Sequence, residues 1–177
     1  YGLRYDEVRA SNLIKIDLDG NVIGESNYPV NRAGFVIHSA IHSAREDAHC
    51  VLHTHTVAGM AVAAQRDGLL PVSMPATGFH GRIAYHDYEG PSLDLDERER
   101  LITNLGNKNA MVLRTHGLLT CSSTLEEAFI LMFRLQRACE IQVAAQANNG
   151  DLVIPPAEIC DRATLLTDEF LTCHDGQ

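Results

Sequence analysis

The sequence predicts an α/β domain, and three observations carry that reading. Short apolar runs of strand length alternate with longer stretches of helical period. No internal repeat or low-complexity linker divides the 177 residues. That length is enough for one domain with a substantial buried core.

Composition narrows the possible functions. Apolar residues make up 45% and charged residues 21%, the balance of a globular protein. The formal net charge is −9 with histidines neutral, and no Lys/Arg-rich run appears. Nucleic-acid binding is therefore not expected, because counterion release needs clustered cations. No apolar stretch is long enough to span a bilayer and no signal-peptide pattern appears, so the expectation is a cytoplasmic protein without a membrane partner. The five cysteines, Cys50, Cys121, Cys139, Cys160 and Cys173, are odd in number and contain no C-x-x-C. They are expected to behave as small hydrophobes rather than as disulfides or metal ligands.

Taken in order, Tyr1-Gly2-Leu3-Arg4-Tyr5 reads like the middle of a domain, with further residues expected before it. Leu13-Ile14-Lys15-Ile16-Asp17 alternates at period two, and Asp19-Gly20 then Asn21-Val22-Ile23 follow, the pattern of a β-hairpin. Residues 35–44 read as a helix carrying His38 and His42 one turn apart. Residues 48–53 form a short buried strand, and residues 57–66 a small-residue helix ended by Gly68. A further short strand is expected over 69–73. Polar, Gly-containing loops follow, through Gly78 and Gly81 and then along 83–90. An acidic-start helix runs over 94–105 and is closed by Gly106, in keeping with the helix dipole. Residues 110–113 form a second buried strand that leads to His116, where a loop at Gly117 is expected to turn away. Ser123-x-x-Glu126 reads as a capping box opening the longest helix, 125–148. Its stripe Phe129, Met132, Phe133 and Gln136 suits either the core or a subunit interface, and is assigned first to the core. Pro155 and Pro156 break the chain before a last helix over 157–171.

Chemistry concentrates in three histidines. A strand points alternate side chains to one face, so His53 and His55 of Val51-Leu52-His53-Thr54-His55-Thr56 emerge side by side. His116, in Arg114-Thr115-His116-Gly117-Leu118-Leu119-Thr120, follows another core strand and supplies a third imidazole. Three nitrogen ligands with an open position suit Zn2+, or another divalent ion such as Mn2+, acting on a small-molecule substrate. His38 and His42 lack the glutamate of an H-E-x-x-H motif and are assigned to packing, or to orienting ligand imidazoles. His49 and His174 are assigned to the surface.

Four segments in the same order resemble the class II aldolase/adducin family. They are Gly34-Phe35-Val36-Ile37-His38-Ser39-Ala40-Ile41, His53-Thr54-His55-Thr56, Ala84-Tyr85-His86-Asp87-Tyr88-Glu89-Gly90 and His116-Gly117-Leu118-Leu119-Thr120. The resemblance implies an α/β fold, a three-layer α/β/α sandwich around a central mixed, largely antiparallel sheet. It treats residues 1–177 as a single domain lacking its N-terminal portion. In the sugar-phosphate aldolases of the family, three histidines and a glutamate hold zinc, and the metal stabilises the enediolate formed on C–C cleavage. His53, His55 and His116 fall on the histidine positions. Gly34 stands where those aldolases have the glutamate, and their proton-donating tyrosine has no counterpart over 72–76. The chain is in this respect closer to the adducin-like branch and its bacterial relatives. Tyr88 and Glu89 are the candidate replacements for the missing acid/base, against the simpler reading of Asp87-Tyr88-Glu89-Gly90 as a turn. The implied function is a metal-dependent carbon–carbon lyase on a hydroxycarbonyl or sugar-type substrate, in a homo-oligomer such as a tetramer. The alternatives are a non-catalytic, adducin-like binding domain and a metal site that serves structure alone.

Overall fold

Two buried runs, Ala110–Leu113 and Gly117–Ser122, set up the sheet on which the histidines sit. The computed structural model describes residues 3–90 and 96–172. Its elements, in chain order, are α1 (Arg32–Ala44), β1 (Cys50–Thr54), α2 (Val57–Ala63), α3 (Met74–Thr77) and β2 (Ile83–His86). These are followed by α4 (Glu97–Leu105), β3 (Ala110–Leu113), β4 (Gly117–Ser122), α5 (Leu125–Gln146) and α6 (Ala157–Thr172). The strand order is β1-β4-β3-β2, with β1–β4 and β4–β3 antiparallel and β3–β2 parallel. The mixed, largely antiparallel sheet is thus present.

Chain contacts group the described residues into two compact units. One comprises residues up to Glu46 together with Glu89–Thr103, and the other Asp47–Tyr88 together with residues from Asn104 onward. The sheet belongs to the second unit. Strand alternation divides it into two faces. One face carries Ala110, Val112 and Leu118, which pack with Val62 and Ala63 of α2 and with Met132, Leu135 and Cys139 of α5. The other face carries Val51, Met111, Leu113, Leu119 and Cys121, all buried. His53 lies opposite Leu119 in the β1–β4 register and so shares this second face.

In the first unit, the expected hairpin contracts to a single bridge, Ile16↔Val22. The turn is held by side-chain chemistry instead. Asp17 accepts from the amides of Asp19 (3.0 Å) and Asn21 (2.8 Å), and Gly20 adopts φ +87°. The Asn21 side-chain amide also donates to Asp17 Oδ2 (3.0 Å), and that bond first, then the backbone ones, holds the Asp17 carboxyl below its ordinary range. Helix α1 starts three residues earlier than expected, because Asn31 caps it by accepting from Gly34 N. Residues 94 and 95 of the expected acidic helix lie outside the described residues, and α4 begins at Glu97.

Four expectations in the second unit change. No strand forms over 69–73. The Leu69 amide donates to the Tyr85 hydroxyl (3.1 Å) and the Leu70 amide to Gln142 Oε1 (2.7 Å), so side chains take the bonds a ladder would need. The 83–90 loop contains β2, a strand of only four residues that alternates too briefly to announce itself. The chain after His116 re-enters the sheet at once as β4, which is buried at all six positions and therefore shows no alternation. The capping box is displaced by one residue. Thr124 is the N-cap and accepts from Glu127 N, while the Glu127 carboxylate accepts from Ser122 (2.6 Å) and Ser123 (2.8 Å).

The α5 stripe divides. Met132 is 7% exposed, but Phe129 and Phe133 are 59% and 51% exposed, so the core assignment fails for both phenylalanines. Ala128, Leu135 and Cys139 take the core side of the helix instead, and the Arg137 guanidinium lies 5.7 Å from the Phe133 ring centre. Among the described cysteines, Cys121, Cys139 and Cys160 are buried and Cys50 half-buried, all as free thiols. Burial, then the nearby Glu140 charge, pushes the Cys139 thiol up to about 12, which makes it a packing residue.

Candidate metal centre

Each of the three histidines reaches the site by a different piece of local structure. His53 is the fourth residue of β1, His55 follows the strand end at Thr54, and His116 closes the turn between β3 and β4. Because β1 and β4 run antiparallel, the carboxyl end of β1 meets the start of β4. Residues more than sixty positions apart in sequence therefore meet at one end of the sheet. The ring centres lie 4.6 Å (His53–His55), 4.8 Å (His53–His116) and 4.7 Å (His55–His116) apart. One nitrogen from each ring falls within 4.8 Å of the other two.

Hydrogen bonding sets the tautomer of His53. His53 Nδ1 lies 2.9 Å from the Leu118 carbonyl, which can only accept, so Nδ1 carries the hydrogen and Nε2 keeps its lone pair. That Nε2 lies 2.7 Å from His55 Nε2, a pair that shares one hydrogen. For both nitrogens to bind a cation, this hydrogen has to move to the far side of the His55 ring or leave. Two imidazole nitrogens on a tetrahedral zinc with bonds of ~2.0–2.1 Å are about 3.4 Å apart. The donor set therefore fits a divalent cation after ring movements of about 1 Å, since imidazole nitrogens are ligands that zinc accepts.

Gly117 explains how the strands approach so closely. A Cβ built there would lie 2.3 Å from Thr54 O and 3.1 Å from His55 Cδ2. Any side chain at 117 would therefore enter the space of the H-x-H segment. This steric requirement, and the Leu118 carbonyl that orients His53, were not read from the sequence. The signal was the small residue beside His116, whose meaning depends on knowing that β1 lies alongside.

The acid/base candidates have different surroundings. The Tyr88 ring centre is 6.4 Å from that of His116, edge-on, and Tyr88 is 54% exposed. Glu89 forms a two-pronged pair with Arg100, whose Nε lies 2.8 Å and 3.0 Å from its two carboxylate oxygens. A carboxylate so engaged offers fewer free lone pairs for proton transfer. In α1, the rings of His38 and His42 stand 6.4 Å apart. Burial, followed by the neighbouring His42 charge, lowers the His38 pKa.

Comparison with known proteins agrees with this architecture. The family described as "Class II Aldolase and Adducin N-terminal domain" matches residues 1–143. A Pseudomonas aeruginosa protein whose name assigns it provisionally to aldolase class 2 is 46% identical over 159 residues, 90% of this chain and 61% of that protein. Alpha-adducin of Rattus norvegicus is 47% identical over 153 residues, 85% of this chain but 21% of the adducin. The crystal structure of an aldolase II superfamily protein from Pseudomonas syringae superposes with TM-score 0.88 at 52% identity, covering 92% of this chain and 66% of that one. An L-fuculose 1-phosphate aldolase from Glaciozyma antarctica PI12 superposes with TM-score 0.75 at 29% identity, covering 87% and 59%. The chain thus spans about 60% of the length of its aldolase-named relatives. With matched sequence across the sheet and a shared fold around it, the chain belongs to the class II aldolase/adducin family.

Proposed function

We propose that His53, His55 and His116 hold a divalent cation, zinc or a similar ion such as manganese, and that the domain serves a carbon–carbon lyase acting on a small hydroxycarbonyl or sugar-type substrate. The observation that carries this reading is the meeting of three ligand nitrogens within 4.8 Å at one end of the sheet. When bound, the cation supplies Lewis-acid stabilisation of negative charge developing on a carbonyl oxygen. The chain's own residues do the rest. Leu118 O holds His53 in the tautomer that turns its Nε2 lone pair toward the other imidazoles, and Gly117 lets β4 pass against the H-x-H segment without displacing it. Tyr88, beside His116, is the proton donor to test, and Glu89, paired with Arg100, the candidate proton acceptor. The same reading carries a homo-oligomer, which sedimentation would measure.

The likeness to alpha-adducin favours a second reading, in which the domain is a binding module that retains the histidines without turnover. Metal analysis tests the site, and isotope exchange separates the two readings. The purified protein loaded with Zn2+ should retain one equivalent, and His53→Ala or His116→Ala should retain none. Metal-dependent deuterium exchange beside the carbonyl of a hydroxyketone phosphate supports the lyase. Bound metal without exchange on any such probe supports the binding module, and full metal retention in both variants overturns the site.

A further inference from the structure

Helix α2 joins the two metal-site segments, and its contacts at the far end involve residues that no ligand assignment uses. It begins two residues after His55, with Thr56 as N-cap accepting from Gly59 N (3.2 Å) and donating to Gln136 Oε1 (2.5 Å). It is seven residues long, about 10 Å at ~1.5 Å per residue. At its end the chain has carbonyls without helical partners. Two of these are taken by the turn that carries His116. Thr115 N donates to Ala63 O (3.1 Å), and Arg114 Nη1 donates to Gln65 O (2.6 Å).

Arg114 is fixed on its other sides as well. Its guanidinium lies 4.3 Å from the Tyr85 ring centre, and its amide donates to His86 O (2.8 Å). Thr115 sits at φ 52°, a left-handed conformation that a β-branched residue adopts only when its surroundings impose it. The bond to Ala63 O is one such imposition. The next residue is His116, whose amide bonds to Leu113 O (3.0 Å).

We propose that Arg114 is a positioning residue for the three-histidine site: with Thr115 it ties the His116 turn to the end of α2, so that one short helix sets the separation of His55 and His116. The inference rests on the metal reading above. It places the aim of the third ligand in a contact on the far side of the turn from the metal.

The test uses Co2+ as the probe, because its visible d–d absorption reports ligand geometry as well as affinity. Arg114→Met keeps an apolar stem over Tyr85 but removes the donor to Gln65 O. Arg114→Lys keeps charge and a donor but loses the planar stack. Thr164→Val serves as a stability control, since it removes bonds to Thr77 O (2.9 Å) and Cys160 O (2.8 Å) elsewhere in the same unit. The expected order of Co2+ affinity is wild type, then Lys, then Met, with the Met variant about 10-fold or more weaker and its spectrum altered. Thr164→Val should lower the unfolding midpoint while leaving affinity and spectrum as in the wild type. An Arg114→Met protein with wild-type affinity and spectrum overturns the proposal. So does an equal loss of affinity in Thr164→Val, because the effect would then be general destabilisation. Absence of Co2+ binding by the wild type would overturn the metal reading itself, and the proposal with it.

Discussion

Replacing Gly117 with alanine tests the geometry of the site with a single methyl group. The added Cβ would stand 2.3 Å from Thr54 O, where ordinary contact begins near 3.4 Å, so a gap of about 1 Å has to open. Gly117 is not in the left-handed region, so the effect is steric rather than conformational. Neither side can yield cheaply. On one side Leu113↔Gly117 ends the β3–β4 ladder, and on the other Thr54↔Leu118 ends the β1–β4 ladder. Overpacking of this kind costs about 1–3 kcal/mol, and rigid backbone on both sides places Gly117→Ala at about 2–3. At ~2–4 °C per kcal/mol for a chain of this size, the melting temperature should fall by about 4–12 °C. The displaced segment is His53-Thr54-His55, so the ligand nitrogens should spread by a similar distance. Zinc affinity, measured by competition with a chromophoric chelator, should then fall by at least about 10-fold. A variant that melts with the wild type and binds zinc equally well would refute both the close approach and its role at the site.

Two further predictions concern stability. Gln142 is fully buried, and its amide accepts from Leu70 N (2.7 Å) and donates to Gln65 Oε1 (2.7 Å) and Gly68 O (2.9 Å). Gln142→Leu strands those backbone groups and should cost about 2–4 kcal/mol in urea unfolding, whereas a loss under about 0.5 would show that the cluster contributes nothing. His38 has its pKa lowered from 6.5, chiefly by burial, so its neutral form is favoured in the folded state. The associated stability is present above pH 6.5 and is lost as pH falls through the lower folded value. Stability measured from about pH 7.5 to about pH 5 should decline in the wild type, and His38→Leu should flatten part of that decline. An unchanged slope would remove His38 from the account.

The family and the histidine trio were readable in one dimension because they depend on local pattern. An H-x-H in a strand puts both rings on one face whatever surrounds it, and His116-Gly117-Leu118 follows an apolar run that can only be core. Helix α5 was legible for the same reason, since a local capping pattern opens it and no glycine or proline interrupts its 22 residues. Local rules failed where partners come from afar. Leu69 and Leu70 look like a strand until Tyr85 and Gln142 take their amides, and β4 looks like a loop because both of its faces are buried. Phe129 and Phe133 read as core on periodicity, although the sheet meets a different side of α5.

Residue identity and spacing were therefore enough to name the imidazoles that belong together. Their convergence, the Leu118 carbonyl that orients His53, the need for glycine at 117 and the tie from Arg114 to the end of α2 came only with the folded chain. Each is a contact between segments remote in sequence, and such contacts are set by how the strands pair, which no local pattern specifies.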